Sequence, residues 1–125
     1  MAKYAPAGWP AVIPRIAVVD DPESLVEFLR DVFEAEGEYN SKRPSELRID
    51  NSLIMVGSAI EREAMPAFLY VYVKDADAAY ERAVELGAES LEKPQDTPYG
   101  DRRGMIRDRW GNKWQIATHR GRFTP

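Results

Sequence analysis

A ten-residue segment occurs twice in this 125-residue chain, and this repeat limits the folds that the chain can adopt. VVDDPESLVE (18–27) aligns with YVKDADAAYE (72–81), so that Asp21 matches Asp75, 54 positions later. Both copies read as the end of a strand followed by the start of a helix, with Asp at a suitable N-cap position. Because self-similarity indicates repeated structural units, the sequence predicts two related halves.

Each half contains one predicted amphipathic helix. In the first half, Asp21 suits the N-cap, Pro22 suits the first helical position, and Gly37 is predicted to end the helix. Apolar residues recur there at helical spacing, at Leu25, Phe28, Leu29, Val32 and Phe33. The second helix is predicted over 75–86 and ends before Gly87.

Around these helices the sequence predicts two hairpins, two strands that open the halves and a short strand over 89–91. A loop with two prolines is predicted over 93–98. The clearest hairpin lies in PYGDRRGMIRDRWGNKWQIATH (98–119), with strands over 100–107 and 113–118 joined by a turn rich in Asp, Gly and Asn. A second hairpin is predicted over 45–56, preceded by a weak strand or loop over 38–44. The remaining strands, VIPRIAVV (12–19) and AFLYVYV (67–73), open the two halves, and the more apolar second one is predicted to be central in its sheet.

The order of these elements predicts an α+β fold within a single domain over 1–125. Two βαβββ repeats, about 11–57 and 66–119, form a curved, open antiparallel barrel with the helices outside. A ferredoxin-like βαββαβ fold is the competing arrangement, but it needs fewer strands than the sequence offers.

Composition excludes several classes of site. The chain has no cysteine, so disulfides and thiolate ligands are excluded, and a cytoplasmic location is favoured. His119 is the single histidine, so one chain cannot supply a site of two or three imidazoles. No apolar run is long enough to predict a membrane span, and the net charge of −4 without a nucleic-acid motif argues against nucleic-acid partners.

The repeat and the string YGDRRGMIRDRWGNKWQIATH (99–119) together resemble the vicinal oxygen chelate superfamily of glyoxalases, bleomycin-resistance proteins and extradiol dioxygenases. The similarity is greatest to its PhnB-like, glyoxalase-like subgroup, whose string reads W-G-D-R-x-G-x-x-x-D-P-x-G-H-x-W-x-x-A-T-H. Tyr99, Arg109 and Asn112 replace the Trp, Pro and His of that string. The resemblance covers nearly the whole chain and implies the open-barrel fold and a homodimer.

Enzymes of that superfamily hold a divalent metal with one residue on each of four strands. The resemblance maps these positions onto Pro14, Ile54, Phe68 and Gln115. Of the four side chains, Gln115 alone offers a lone pair, whereas zinc takes three or four protein ligands and harder cations take several oxygens. The sequence therefore predicts no metal, no cofactor and no catalytic residue of the usual kind.

Strand alternation predicts which residues line the cavity of such a barrel. If Pro14, Phe68 and Gln115 face inward, the lining also includes Val12, Ile16, Ile54, Val56, Tyr70, Tyr72, Lys113 and Ala117. The opposite faces, which are expected to pack against the helices, then present Ala17, Val19, Leu53, Met55, Leu69, Val71 and Ile116.

Aromatic and basic residues near this lining are the candidate ligand contacts. The predicted ligand-binding set is Phe68, Tyr70, Tyr72, Gln115, Arg102, Arg103, Trp110 and Trp114. The two arginines suit either an acidic group on the ligand or ion pairs with Asp101, Asp108 or helix acids. Residues 108–112 are expected to serve the turn itself, and His119 is expected to be a surface or interface group.

These features predict a metal-independent protein that binds a small aromatic or apolar molecule bearing an acidic group, as bleomycin-resistance proteins sequester drugs. A glyoxalase-like lyase or isomerase, or a dioxygenase, with a non-standard or metal-free site is the alternative. A cavity filled by its own side chains, leaving a partner-binding module, is the third possibility, because aromatic residues in strands are more often core than ligand contacts.

Overall fold

A computed structural model of the chain describes residues 4–59 and 65–121. The chain divides into two compact units, Met1–Met65 and Pro66–Pro125. The described residues form two helices and two sheets, which confirms the predicted α+β class. No helix among them has the length and apolar character that crossing a membrane requires.

The described part of the first unit contains three strands and one helix: β1 (Arg15–Val18), α1 (Pro22–Phe33), β2 (Ser45–Ile49) and β3 (Ser52–Ser58). Its strands are ordered β1-β3-β2, with β1 parallel and β2 antiparallel to β3. The predicted hairpin is therefore present, but the sheet is mixed rather than purely antiparallel.

Helix α1 begins as the sequence predicts and ends earlier. The side chain of Asp21 accepts a hydrogen bond from the Ser24 amide at 3.2 Å, and Pro22 occupies the first turn. The helix ends at Phe33, because Glu34 adopts a left-handed conformation with φ 55° and caps it. Gly37, the predicted helix end, instead permits close packing, since an added Cβ would lie 2.3 Å from the carbonyl oxygen of Glu46.

The core of this unit is made of apolar residues from the helix and the sheet. Six helix residues are buried, namely Leu25, Val26, Phe28, Leu29, Val32 and Phe33. The buried strand residues are Ile16, Val18, Leu47, Leu53, Ile54 and Val56. Val19 is 73% exposed, so the expectation that it packs on a helix is wrong.

The first repeat is βαββ rather than the predicted βαβββ. A single bridge between Glu36 and Arg48 takes the place of the missing strand. The Asn40 side chain accepts hydrogen bonds from the amides of Lys42 and Arg43, so this segment forms a local turn that competes with sheet pairing.

The second unit is the complete βαβββ repeat: β4 (Phe68–Tyr72), α2 (Ala76–Glu85), β5 (Glu89–Asp96), β6 (Asp101–Arg107) and β7 (Lys113–His119). Its strands are ordered β4-β7-β6-β5, with β4 parallel to β7 and the other pairs antiparallel. Strand β4 thus lies at a sheet edge and not at the centre, the position predicted from its apolar composition. That composition reflects aromatic residues that are exposed on one face of the strand.

Strand β5 is longer than the sequence indicates, because irregular pairing accommodates a proline within it. The ladder with β6 shifts register between Ser90 and Glu92 and again between Glu92 and Gln95, around Pro94. A loop was predicted there from its two prolines, since bulges leave little trace in a single sequence.

The turn between β6 and β7 is organised by the buried side chain of Asp108. Its carboxylate accepts hydrogen bonds from the Trp110 amide, from the backbone and side-chain amides of Asn112, and from the Trp114 indole, all at 2.9–3.0 Å. The Asn112 side chain in turn accepts from the Ala67 amide at 2.8 Å, next to β4. These bonds confirm that 108–112 serve the turn and fix the register of the β6–β7 hairpin.

Candidate functional site

The sheet of the second unit has one face toward helix α2 and one face away from it. Gly104 marks the helix side, because a Cβ built on it would lie 3.1 Å from the ring of Tyr80 in α2. The register of β4, β7 and β6 places Leu69, Val71, Trp114, Ile116 and Ile106 on that same side. Residues of opposite parity form the other side.

That other side, which we call the aromatic face, consists of rows of paired residues. The rows, read across β4, β7 and β6, are Phe68–Lys113–Arg107, Tyr70–Gln115–Met105 and Tyr72–Ala117–Arg103, followed by the terminal pair His119–Asp101. Phe68, Tyr70 and Tyr72 are 65%, 37% and 57% exposed. The predicted alternation is therefore confirmed for this half of the chain.

Asp101 is the centre of a hydrogen-bonded cluster at one end of the aromatic face. Its side chain is 1% exposed. Oδ2 accepts hydrogen bonds from the hydroxyls of Tyr70 at 2.5 Å and Tyr72 at 2.8 Å, and Oδ1 lies 2.8 Å from Nδ1 of His119. Both carboxylate oxygens are thus engaged by donors.

Contacts within the cluster determine the protonation states of Asp101 and the two tyrosines. Burial alone would raise the pKa of Asp101, but hydrogen bonds from Tyr70, His119 and Tyr72 hold it below its ordinary value. Burial and the Asp101 carboxylate raise the pKa of Tyr70, and the hydrogen bond to Asp101 raises that of Tyr72. At neutral pH the cluster therefore contains an ionised carboxylate and two protonated phenols.

Regular backbone structure holds this cluster in place. Asp101 and His119 form the last pair of the β6–β7 ladder. The Thr97 hydroxyl accepts a hydrogen bond from the Asp101 amide at 3.0 Å, and the Thr97 amide donates to the Asp101 carbonyl at 2.7 Å. Gly100, with φ 94°, makes the intervening turn.

A cleft of about 450 Å³ opens beside the cluster, lined by Tyr72, Tyr99, Asp101 and His119. Arg103 supports its wall, because Nη1 donates a hydrogen bond to the Tyr99 hydroxyl at 2.6 Å. Nη2 of Arg103 also lies 3.7 Å from Oε1 of Glu92. The cleft is thus bounded by aromatic rings, a half-exposed imidazole and the buried carboxylate of Asp101.

Five of the predicted ligand contacts lie on the aromatic face: Phe68, Tyr70, Tyr72, Gln115 and Arg103. Arg102 lies on the helix side. Its Nε is 3.0 Å from Asp77 of α2, and Nη1 is 3.5 Å from Asp96. The hydrogen bond to Asp77 raises the pKa of Arg102, so this arginine serves an ion pair with the helix, the alternative that the sequence left open.

The two predicted tryptophan contacts lie away from the cluster. Trp114 has no exposed surface and its indole donates a hydrogen bond to Asp108. It is therefore a core residue and not the ligand contact that the sequence predicted. Trp110 lies in the turn, where the Arg109 guanidinium stacks 4.5 Å from its ring. The turn and His119 are at opposite ends of β7, about 20 Å apart at the usual strand rise.

Asp101 is the residue that sequence reasoning missed, and His119 was given too small a role. The signal was present, because pairing Arg107 with Lys113 across the predicted turn brings Asp101 opposite His119 at the far end of the hairpin.

The metal positions implied by the resemblance do not fit a metal in this chain. In the register, Tyr70 pairs with Gln115 and Ile16 pairs with Val56, so the first-half counterpart of Gln115 is Val56 and not Ile54. No side-chain atom that could ligate a metal is present in Pro14, Val56 or Phe68. Within 4–59 and 65–121, no three His, Cys, Asp or Glu residues come together as a possible metal site.

Comparison with known proteins identifies the family. Residues 12–116 match the model of the Glyoxalase/Bleomycin resistance protein/Dioxygenase superfamily, and the chain belongs to this superfamily. An uncharacterized protein of Mycobacterium tuberculosis is 26% identical over an alignment of 126 positions, which covers 86% of this chain and 74% of the relative.

Solved structures share the fold. TioX from Micromonospora sp. ML1 superposes with a TM-score of 0.70 at 23% identity, covering 87% of this chain and 99% of TioX. The fosfomycin resistance protein FosX from Mesorhizobium loti gives a TM-score of 0.63 at 22% identity, covering 86% and 91% of the two chains.

Proposed function

We propose that this chain is a metal-independent small-molecule-binding protein of its superfamily, and that its ligand contacts the aromatic face and the adjoining cleft. The observation that carries the proposal is the set of exposed tyrosines anchored on a buried, ionised Asp101. A mostly apolar site with a few fixed polar groups is typical of small-molecule recognition.

The tyrosine rings are suited to binding because they are exposed and already ordered. The rings of Tyr70 and Tyr72 lie 5.3 Å apart at 58°, and both hydroxyls are held by Asp101. A ligand that stacks on such rings immobilises few additional torsions, so less of the interaction free energy is lost to ordering. Phe68 extends the apolar surface along the same strand.

A metal-free lyase or isomerase is the second candidate, and the Asp101–His119 pair is the feature that favours it. An imidazole oriented by a buried carboxylate can act as a general base. Binding ranks first because the face offers several exposed aromatic contacts, whereas the case for catalysis depends on His119 as a single general base.

The proposal keeps three finer expectations from the superfamily resemblance. Sequestration of a drug or metabolite in the manner of a bleomycin-resistance protein is the expected biological role, and the PhnB-like subgroup is the expected placement. A homodimer is consistent with the outer edge of β4, which pairs with no strand among residues 4–59 and 65–121 and which a second chain could cover. A cytoplasmic location remains the prediction made from the absence of cysteine.

A thermal-denaturation screen tests the proposed function. Chelator-treated protein is mixed with a panel of aromatic acids, amides and amines, and separately with Ni, Zn, Co, Mn, Fe and Mg ions. A ligand that binds the folded state alone raises the melting temperature by mass action. We expect aromatic compounds to raise it and metal ions to leave it unchanged.

Two variants make the screen specific to the aromatic face. Tyr72→Ala removes a ring from the face, whereas Tyr4→Ala removes a tyrosine that is 91% exposed in the other unit. The stabilisation should be lost in Tyr72→Ala and kept in Tyr4→Ala. A strong shift with one metal ion, or an aromatic shift that both variants retain, would contradict the proposal.

A further inference from the structure

We infer that the cleft beside the aromatic face is an anion site, in which the free Nε2 of His119 binds the carboxylate of an aromatic acid. The inference deepens the proposed function, on which it rests, by naming the charge and class of the ligand. It begins from the hydrogen-bond directions in the Asp101 cluster.

Every identified donor of this cluster points toward Asp101. Tyr70 and Tyr72 donate to Oδ2, and Nδ1 of His119 is directed at Oδ1. Both oxygens already accept hydrogen bonds and 1% of the side chain is exposed, so little of the Asp101 carboxylate is accessible to a cationic ligand. A positively charged molecule in the cleft would therefore meet the negative charge without a direct hydrogen bond to it.

His119 supplies the remaining polar contact. Its side chain is 46% exposed and lines the cleft, and its Nδ1 is engaged with Asp101, which leaves Nε2 without a partner among the described residues. In a protonated imidazole ring both nitrogens are donors, so Nδ1 can donate to Asp101 while Nε2 donates to a bound anion. An Nε2–H donor in a cleft walled by tyrosine rings fits an acceptor anion on an aromatic molecule.

The surrounding charges are compatible with an anion. Arg103 of β6 reaches the cleft wall through the Tyr99 hydroxyl, and Glu92, whose Oε1 lies 3.7 Å from Nη2 of Arg103, balances its charge. The other groups that face or flank His119 are Asp101 of β6, Tyr72 of β4 and Arg120, which follows it in the chain. Apart from the fully engaged Asp101, none of these carries a negative charge at neutral pH.

Anion binding at His119 should be linked to its proton. The protonated ring is the form that donates from Nε2, so a carboxylate that binds there draws a proton onto the neutral ring. Its affinity should therefore fall as the pH rises. A neutral ligand of the same shape should show no such dependence.

The test uses para-fluorobenzoate and para-fluorobenzamide, which differ in charge and hardly in shape. Binding of each to the full chain is followed by fluorine NMR of the ligand at about pH 6 and about pH 8, where the acid is ionised throughout. We expect tighter binding of the acid at the lower pH and weak, pH-independent binding of the amide. His119→Gln should abolish the preference for the acid and its pH dependence.

Arg120→Gln is the matched control, because it removes a neighbouring positive charge that does not line the cleft. It should keep both the preference for the acid and the pH dependence. Equal binding of acid and amide, a preference that survives His119→Gln, or no binding of the acid would overturn the inference. If the acid and the amide bind equally and both lose binding in Tyr72→Ala, the anion inference is overturned and the proposed function stands.

Discussion

The two halves of the chain share a pattern of strand and helix but differ in what their sheets present. Positions 54 residues apart hold Ile16 and Val18 in the first half and Tyr70 and Tyr72 in the second. The first pair is 1% and 3% exposed, whereas the second pair is 37% and 57% exposed. One copy of the repeat thus uses these positions for its core, and the other uses them for a polar and aromatic surface.

The hairpins explain why the second half alone carries the cluster. In the first half the β2–β3 ladder ends at Ser45–Val56, beside Ile16. In the second half the ladder continues past the equivalent pair, Met105–Gln115, to Asp101–His119. The additional pairs of the β6–β7 ladder thus carry Asp101 and His119, the groups that orient the tyrosines.

The largest expected effect is on the longer turn of the second half. Asp108→Ala would leave the Trp114 indole and the Asn112 amide without their acceptor in a buried site. We expect the free energy of unfolding to fall by about 3–4 kcal/mol. Urea denaturation measures it, and Asp50→Asn, in the exposed turn of the first hairpin, should lie within about 0.5 kcal/mol of the wild type. Similar losses in both variants would contradict the difference described between the two turns.

Asp101→Asn should have the next largest effect. The variant replaces a buried charge that accepts three hydrogen bonds with a neutral group that must accommodate two phenols and an imidazole. We expect a loss of about 2–3 kcal/mol in urea denaturation, since hydrogen bonds to charged groups are the stronger ones. Wild-type stability in this variant would mean that the cluster does not hold the tyrosines.

A glycine in each half gives a matched pair of packing variants. Gly104→Ala should reduce stability by about 1–2 kcal/mol, because its Cβ would meet the Tyr80 ring at 3.1 Å and the Glu92 carbonyl oxygen at 3.2 Å. Gly57→Ala places its Cβ at 3.7 Å or more from Pro44 and should be tolerated. Thermal melts of the two proteins would sharpen the comparison, and the reverse order would contradict the packing described.

Tyr72→Phe removes one hydroxyl of the cluster and keeps the ring. Because Tyr72 is largely exposed, we expect a loss of about 0.5–1 kcal/mol, measured by urea denaturation. Tyr4→Phe, at an exposed position of the other unit, should have no measurable effect. A loss above that of Asp101→Asn would mean that the hydroxyl has another buried role.

The smallest expected effect is a difference in acid sensitivity. The folded-state pKa of Asp101 is lowered, so its contribution to stability is present above the ordinary carboxyl value of about 4 and is lost as the pH falls through the folded value. The wild type should therefore lose more stability than Asp101→Asn between about pH 7 and about pH 3. Parallel urea titrations measure the difference, and identical losses would contradict the assignment.

Local patterns in the sequence were sufficient for the elements that local interactions determine. Asp21 and Pro22 gave the start of α1, and the hairpin over 45–56 and the turn at 108–112 were found from turn residues and alternation. Strand order was less accessible. The edge position of β4 could not be predicted, because its parallel pairing with β7 involves residues more than 40 positions away in the chain.

The site was predictable in part. Alternation placed Phe68, Tyr70, Tyr72 and Gln115 on one face. It did not separate Arg103 from Arg102, because neighbouring residues on a strand point to opposite faces and the prediction included both. Trp114 was assigned by residue type rather than by parity, although its neighbours already placed it on the helix side.

The most direct test of the central claim is an amide NMR titration of the isotope-labelled, chelator-treated chain with para-fluorobenzoate. If the second half carries the binding site, the largest shifts will fall on β4 and on the ends of β6 and β7 near Asp101 and His119. Residues of β1, β2 and β3 should move little. Shifts concentrated in the first half, or spread without a centre, would contradict the account.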